Sequence, residues 1–290
     1  SEQSGYHHGE ASLNGAIINM AQDYVGSNNI HLLMPNGQFG TRLQGGKDHA
    51  SERYIFTKLN PITRMIFRKE DDSILHYLDD DGLSVEPIYY IPIIPMILVN
   101  GALGIGTGFA TNIPCFHPKE IITAIQQKLQ CSDHIAKLHP YYTGFTGEII
   151  PESECKYITY GCFELKGKTV IIRELPIGTW NESYVQFLEK CLDTKKFNLK
   201  DYKDLSTNKE VCIELYFTCP VTDKSKFIQQ FKLSSSLSTN NMYLFNKDEI
   251  LTKYESIDMI IDRFVEVRLT YYETRKQNQI KELESLLVLY

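Results

Sequence analysis

No glycine or proline occurs after Pro220, so nothing in the closing stretch of the sequence interrupts a helix. Within it Ile257, Ile260, Ile261, Phe264, Val267 and Tyr271 recur at helical spacing, and Ile280, Leu283 and Leu287 extend the stripe. From Ser256 to Tyr290 a helix would run about 50 Å. A helix that long with so narrow an apolar stripe needs a partner helix; a single long surface helix is the alternative. The sequence stops in mid-pattern, which predicts a longer parent chain.

Residues 36–57 have the opposite texture. Asn36-Gly37, Gly40 and Gly45-Gly46 break the chain into loops, and a polar segment then leads to Arg53-Tyr54. From Arg42 to Lys69 there are seven basic residues (Arg42, Lys47, Arg53, Lys58, Arg64, Arg68, Lys69) against two acidic ones, Asp48 and Glu52, in a chain of net charge −6. A basic patch on an acidic chain points to a polyanion bound at one place. A tyrosine beside an arginine in such a patch fits a nucleophile and a charge stabiliser for phosphoryl transfer. The plainer reading is a loop entering a helix, with Tyr54 as packing. A free phenol titrates near pH 10, so on the order of one in a thousand is ionised at pH 7. Attack by Tyr54 therefore needs a cation or a proton acceptor close by. Arg53 keeps its charge, and its forked donors suit a phosphate oxygen.

A chain of 290 residues, 42% hydrophobic, is sized for two or three units of a globular protein. Its seven cysteines are scattered without a CxxC pair, which predicts neither a zinc site nor a disulfide framework, but reduced thiols in a nuclear or cytosolic compartment. No secretory leader is recognisable. The most apolar run, Ile91–Val99, holds two prolines and is too short for a bilayer, so no membrane partner is expected. Asn181-Glu182-Ser183 matches a glycosylation sequon that only a secreted protein would use. Three other lookalikes fail on spacing. Gly45-Gly46-Lys47 lacks the first glycine of a phosphate loop at Thr41 and has Asp48 where a hydroxyl belongs. Gly104-Ile105-Gly106-Thr107-Gly108 has Phe109 where a dinucleotide loop needs glycine. Asp79-Asp80-Asp81-Gly82 lacks calcium-loop acids at Tyr77 and Ile88. No metal-binding residue is expected in this chain.

The local patterns predict an α+β fold. Residues 10–25 read as a helix with Leu13, Ile17, Met20 and Tyr24 on one face, Ile30–Met34 as a short strand, and residues 51–68 as helical with a break at Pro61. Asp81-Gly82 signals a hairpin between Ile74–Leu78 and Leu83–Val85. Pro118 sits at a first helical position, ahead of Ile121, Ile125 and Leu129. Strands are expected over Gly147–Ile150, Lys156–Leu165, Thr169–Glu174 and Glu210–Thr218, and helices near Ser183–Leu192 and Lys224–Gln230. In Gly104–Gly108 the one apolar side chain, Ile105, stands between glycines, either as a protruding tip with close-packed backbone around it or as a buried residue in a turn.

Several blocks, in one order, carry a resemblance to a known family: Tyr6-His7-His8-Gly9-Glu10; Gly26-Ser27-Asn28-Asn29; Gly45-Gly46-Lys47-Asp48 through Arg53-Tyr54-Ile55-Phe56-Thr57; Ile91-Pro92-Ile93-Ile94-Pro95-Met96; Gly104–Gly108; Glu174-Leu175-Pro176 with Thr179-Trp180; and Phe231-Lys232-Leu233. From about residue 5 to about residue 278 the chain resembles the DNA-cleavage region of eukaryotic-type (type IIA) DNA topoisomerase II. The resemblance implies a winged-helix domain over 1–95, a tower domain over 96–248, and the beginning of a coiled-coil helix over 249–290. It implies that Tyr54 attacks a DNA phosphodiester, giving a 5′-phosphotyrosyl link, while Arg53 stabilises the transition state and His8 assists as proton acceptor. Ile105 becomes a wedge between base pairs, and Tyr6, Ser12, Trp180, Lys47 and Arg42 become DNA contacts. Gln22 and Ala11 match positions near which drugs bind.

The partners so implied are double-stranded DNA and a second copy of the chain. The cofactors are Mg2+ on a Toprim module and ATP on an ATPase module, neither of which has a counterpart here. Two departures stand out: Ala11 where vertebrate relatives have methionine, and Gly178 in place of a basic residue before Thr179-Trp180. They suit a large DNA virus as source, and either a nucleus or a host-cell virus factory as location. The competing reading is a winged-helix DNA-binding protein without catalysis. Both readings predict salt-sensitive DNA binding; only the first predicts a covalent DNA adduct.

Overall fold

The computed structural model describes residues 4–289. The chain enters α1 (Glu10–Ala21), which stops before the expected end; Tyr24 lies beyond it. The face that α1 buries is also offset from the expected stripe. Ile18 and Ala21 are inside, packed on Phe39, Leu33 and Ile55, while Met20 is exposed.

Residues 51–68 are not one helix. A single 3-10 turn, Glu52–Tyr54, is followed by extended chain and then by the short α2 (Thr63–Ile66). The reason is pairing. Phe56 exchanges both backbone hydrogen bonds with Asn36, at 3.0 and 3.2 Å, the Met34 amide donates to Lys58, and the Asn60 amide donates to Leu32. Backbone groups satisfied across the chain are unavailable for a helix. The same pairing is all that remains of the strand expected at Ile30–Met34: isolated bridges at Leu33 and Asn36.

A second 3-10 stretch, Lys69–Ile74, leads to the hairpin of β1 (Tyr77–Asp80) and β2 (Leu83–Pro87). Its turn is Asp81-Gly82, both at positive φ, which is the geometry a two-residue hairpin demands. This exposed hairpin is the wing. Next come α3 (Met96–Asn100) and a second hairpin of β3 (Ala102–Ile105) and β4 (Ala110–Ile113). α4 (Pro118–Leu129) starts on its proline, and the His117 ring accepts from the Lys119 amide at 3.1 Å.

The middle of the chain is β-rich. β5 (Glu148–Ser153) and β6 (Lys156–Tyr160) join the later β11 (Ser234–Ser238) in an antiparallel sheet ordered β11-β6-β5. β7 (Cys162–Lys166), β8 (Thr169–Glu174), β9 (Leu199–Asp204) and β10 (Ile213–Phe217) form a second, ordered β7-β8-β10-β9. α5 (Asn181–Asp193) and α6 (Lys224–Gln230) cover it, the latter capped by Asp223. Their shared core holds Ile172, Leu188, Ile213, Leu215, Phe227 and Phe231. A small hairpin, β12 (Tyr243–Phe245) and β13 (Leu251–Lys253), precedes α7 (Ile257–Leu289), the long helix.

A separate core joins α3, β4, α4 and the first turns of α7 through Leu98, Phe116, Ile121, Met242, Ile260 and Ile261. It draws residues from both sides of positions 95 and 248, so α3, β4, α4 and the start of α7 share one core across those positions. The α7 stripe is buried only in these early turns. Leu283, Leu286 and Leu287 stand exposed.

Phe231 tests the β-rich core. It is fully buried, stacks on Phe227 with centroids 4.8 Å apart, and its carbonyl accepts the Tyr184 hydroxyl at 2.8 Å. Phe231→Ala is expected to cost about 3–5 kcal/mol, read as a lowered urea midpoint. A loss under about 1 kcal/mol would mean that this core relaxes around the vacancy.

Candidate nucleic-acid interface

The glycine loop is pinned at its neck by the Asn36–Phe56 bridge and by the Ala50 amide donating to Gln38. Inside the neck the chain folds on itself. The Asp48 carboxylate accepts from the Thr41 amide at 2.8 Å and from the Thr41 hydroxyl. Gln22 is buried and donates its amide to the carbonyls of Phe39 and Gly46, at 3.0 and 3.2 Å. A Cβ on Gly40 would stand 2.6 Å from the Gly46 backbone, and one on Gly45 would overlap the Trp180 indole. The glycines are thus a packing requirement. Tyr24 stacks edge-on against Trp180 at 5.5 Å. Burial, aided by the Asp48 charge, pushes its phenol up to about 12, so Tyr24 remains a neutral packing group.

The loop delivers Arg53 and Tyr54 to solvent. Ile55 turns inward against Phe39 and Leu33, and the residues on either side face out: Tyr54 is 69% exposed and Phe56 72%. The Arg53 guanidinium lies 5.2 Å from the Tyr54 ring centre. An exposed phenol beside a fixed positive charge is what the packing reading of Tyr54 excludes and the nucleophile reading requires.

The structure corrects the basic patch. Arg42 is not a surface cation. It is 5% exposed and paired with the equally buried Glu174; a guanidinium enclosed in this way is out of reach of a phosphate at the surface. Arg64 and Arg68 are paired with Asp72 and Glu70 on the surface. Among the described residues, Lys47, Arg53, Lys58 and Lys69 form no ion pair, and they constitute the free charge. Gln22, expected near a ligand, is likewise committed to the backbone. Trp180 is half-buried at the start of α5, its ring filling the space left by Gly45 and Gly26, so it is first a packing anchor.

Ile105 is at the tip of the β3–β4 hairpin and 91% exposed, which rules out the buried alternative. The backbone around it is not close-packed as expected: Cβ atoms on Gly104 or Gly108 would meet nothing within 4 Å. The rigidity comes from behind. Phe109 packs on Tyr243 with centroids 5.1 Å apart, and the Thr111 hydroxyl donates to the Tyr243 carbonyl. Leu103, two residues back on the same strand face, is also exposed.

Near the start of the chain, Tyr6 and His8 meet edge-to-face at 5.3 Å, and His7 lies 3.8 Å from Asp80 on the wing. Ala11 and Ser12 are exposed on the first turn of α1. His8 and Tyr54 share no hydrogen bond or ring contact among the described residues. No group of three or more His, Cys, Asp or Glu is placed to hold a metal ion among them, and no helix is long and apolar enough to cross a membrane.

The chain is a winged, α+β protein that presents a Tyr–Arg pair and an apolar hairpin tip to solvent. The chain belongs to the DNA gyrase/topoisomerase IV A-subunit family, whose pattern matches residues 2–289. It is similar to DNA topoisomerase 2 of Arabidopsis thaliana, 46% identical over 97% of this chain and 20% of that protein. Mitochondrial DNA topoisomerase 2 of Dictyostelium discoideum is 44% identical over 98% of this chain and 22% of its own length. The crystal structure of the Plasmodium falciparum topoisomerase II DNA-binding, cleavage and re-ligation domain superposes with a TM-score of 0.91 at 43% identity, covering 98% of this chain and 39% of that one. The chain thus spans about a fifth of the length of the curated relatives it matches.

The surface and buried cations should separate in solution. Arg42→Ala leaves Glu174 buried and unpaired and is expected to cost about 3–5 kcal/mol of stability, with the salt slope of DNA binding unchanged. Lys47→Ala should leave the melting temperature alone and lower that slope by about one. Salt titrations of DNA affinity paired with thermal melts check both; a lowered slope in Arg42→Ala would return Arg42 to the interface.

Proposed function

We propose that this chain is the DNA-cleaving and resealing part of a type II DNA topoisomerase, acting on double-stranded DNA. The observation that carries the reading is the Arg53–Tyr54 pair, turned to solvent beside the inward anchor Ile55 at the rim of the glycine loop. The Tyr54 oxygen attacks phosphorus. The bond from phosphorus to the 3′ oxygen breaks, leaving the 5′ phosphate on tyrosine and a 3′ hydroxyl that takes up the proton tyrosine gives away. His8, exposed, relays that proton once DNA brings the two together. Arg53 meets charge that develops on the phosphate in the transition state. The phosphotyrosyl link keeps the energy of the broken bond, so resealing is the same step reversed and needs no nucleotide.

Lys47, Tyr6 and Ser12 are DNA contacts in this reading, joined by the half-buried Trp180. Ala11 is a candidate small-molecule contact on α1. Residues 1–95 serve as the winged-helix cleavage domain, 96–248 as the tower, and 249–290 as the beginning of the coiled coil. Mg2+ and ATP belong to other parts of the protein. Metal at the site would supply charge neutralisation on the phosphate. The working unit is a homodimer, and the compartment is the nucleus.

Tyr54→Phe in the complete protein is expected to abolish protein-linked DNA on denaturing gels while DNA affinity stays within about threefold, because the hydroxyl is one contact among many. A persistent adduct in the variant would end the assignment.

Ile105 separates this reading from that of a simple DNA-binding protein. A side chain 91% exposed has little packing to lose, so Ile105→Ala should leave the melting temperature unchanged. If Ile105 wedges between base pairs, the variant bends DNA less, cleaves less, and keeps its salt slope. Energy transfer between the ends of a short duplex measures the bend; normal bending in Ile105→Ala would remove the wedge.

A further inference from the structure

One face of α7 is joined to the rest of the protein by polar groups. Arg268, Tyr271, Arg275 and Asn278 follow one another at helical spacing. Asp71, on the 3-10 stretch Lys69–Ile74, is buried between two of them: Arg268 Nη2 lies 2.8 Å from Asp71 Oδ2, and Arg275 Nη1 donates to Asp71 Oδ1 at 3.2 Å. The two guanidinia lie over the Tyr272 ring, at 3.9 and 4.9 Å from its centre. One turn on, the Asn278 amide donates to the Ser73 hydroxyl at 3.2 Å, and the Tyr271 and Tyr89 hydroxyls meet at 3.2 Å.

Arg268 has a further partner. Its Nη1 donates to the Ile91 carbonyl at 3.1 Å. Ile91 opens the proline-rich run that leads through α3 into β3 and its tip, Ile105. Asp71 closes the segment that carries Tyr54 through the bridged chain and α2. A single buried guanidinium therefore touches the mounting of the tyrosine on one side and the mounting of the hairpin tip on the other. The hydrogen bonds from Arg268 to Ile91, from Arg275 to Asp71 and from Asn278 to Ser73 are directional and, together with the Arg268–Asp71 ion pair, fix one register, whereas apolar burial tolerates sliding. A slip of α7 by one turn, about 5.4 Å, would break them all.

We propose that Asp71 and Arg268 are positioning residues for DNA cleavage, which hold the Tyr54 segment and the Ile105 hairpin in register on α7. The inference rests on the cleavage reading given above. With the pair intact, a duplex bent at Ile105 presents its phosphate where Tyr54 can reach it. With the pair broken, the two devices still bind and bend, but no longer in step.

The test is a split between readouts in the complete protein on a short labelled duplex. Asp71→Asn keeps the shape of the side chain and removes its charge. It should bind DNA within twofold of wild type and bend it normally, yet form at least about tenfold less covalent adduct, since a misplacement of about an ångström at a reacting centre costs that much or more. Arg268→Gln should behave likewise, and the double variant should be no worse than the poorer single one, because the pair acts as a unit. Arg275→Gln, which alters the more exposed partner, should show the same split to a smaller degree and decides the matter if Asp71→Asn does not fold. Normal adduct formation in a folded variant would overturn the proposal. So would equal losses of binding, bending and adduct, which mark a merely structural pair. A wild-type protein that forms no adduct would instead remove the cleavage reading itself.

Discussion

Glu174 ends β8 inside the protein, where its two oxygens meet the Arg42 guanidinium, the Leu175 amide, and the amide and hydroxyl of Thr146. A buried carboxylate is tolerable only when its oxygens are occupied in this way. The pair adds little net stability compared with an apolar replacement, but it allows only one arrangement. The glycine loop is thereby fixed to the start of α5, whose Asn181 and Glu182 amides donate to the carbonyls of Arg42 and Leu43. Trp180 then closes over Gly45. Arg53 and Tyr54 are displayed on a frame fixed by these backbone and ion-pair contacts, which is how an exposed side chain can be held in place without being covered.

The second display is apolar. Leu103 and Ile105 on one hairpin, and Phe56 beside Tyr54, are left in water at a cost that folding alone does not repay. Isolated exposed apolar residues are ordinary, but Leu103 and Ile105 stand together on one braced hairpin. Phe109 on Tyr243 and the Thr111 bond stiffen the hairpin from behind, and in the proposed reading this bracing lets its tip press into a stack of bases. Cations that hold phosphates and an apolar tip that opens a base step are complementary ways of gripping a bent duplex.

Much of this was legible in the sequence wherever a local rule decides. Pro118 set the start of α4, Asp81-Gly82 set the wing, and the absence of glycine and proline after Pro220 left α7 no place to stop. Lys224–Gln230 and Thr169–Glu174 emerged with the expected bounds. The errors fall where distant residues decide. The helix expected over 51–68 lost to pairing with 32–36, which no local pattern announces. Arg42 read as a surface cation because its partner lies 132 positions away. The stripe on α1 was offset because Tyr24 lies beyond the helix and Ile18 found Phe39. Residue types and their order singled out Tyr54, Arg53 and Ile105 as candidates, and all three stand at the surface, but sequence could not reveal that Ile55 packs inward beside Tyr54 or that Asp71 pairs with Arg268.

The most direct measurement is of the covalent bond itself. The complete protein, incubated with duplex DNA and Mg2+, denatured, and digested with nuclease and trypsin, should yield the peptide Tyr54–Lys58 carrying a nucleotide. Fragmentation in a mass spectrometer should place the attachment on the Tyr54 oxygen through the 5′ phosphate. A nucleotide on another residue, a link through the 3′ phosphate, or cleaved DNA with no peptide attached would contradict the account.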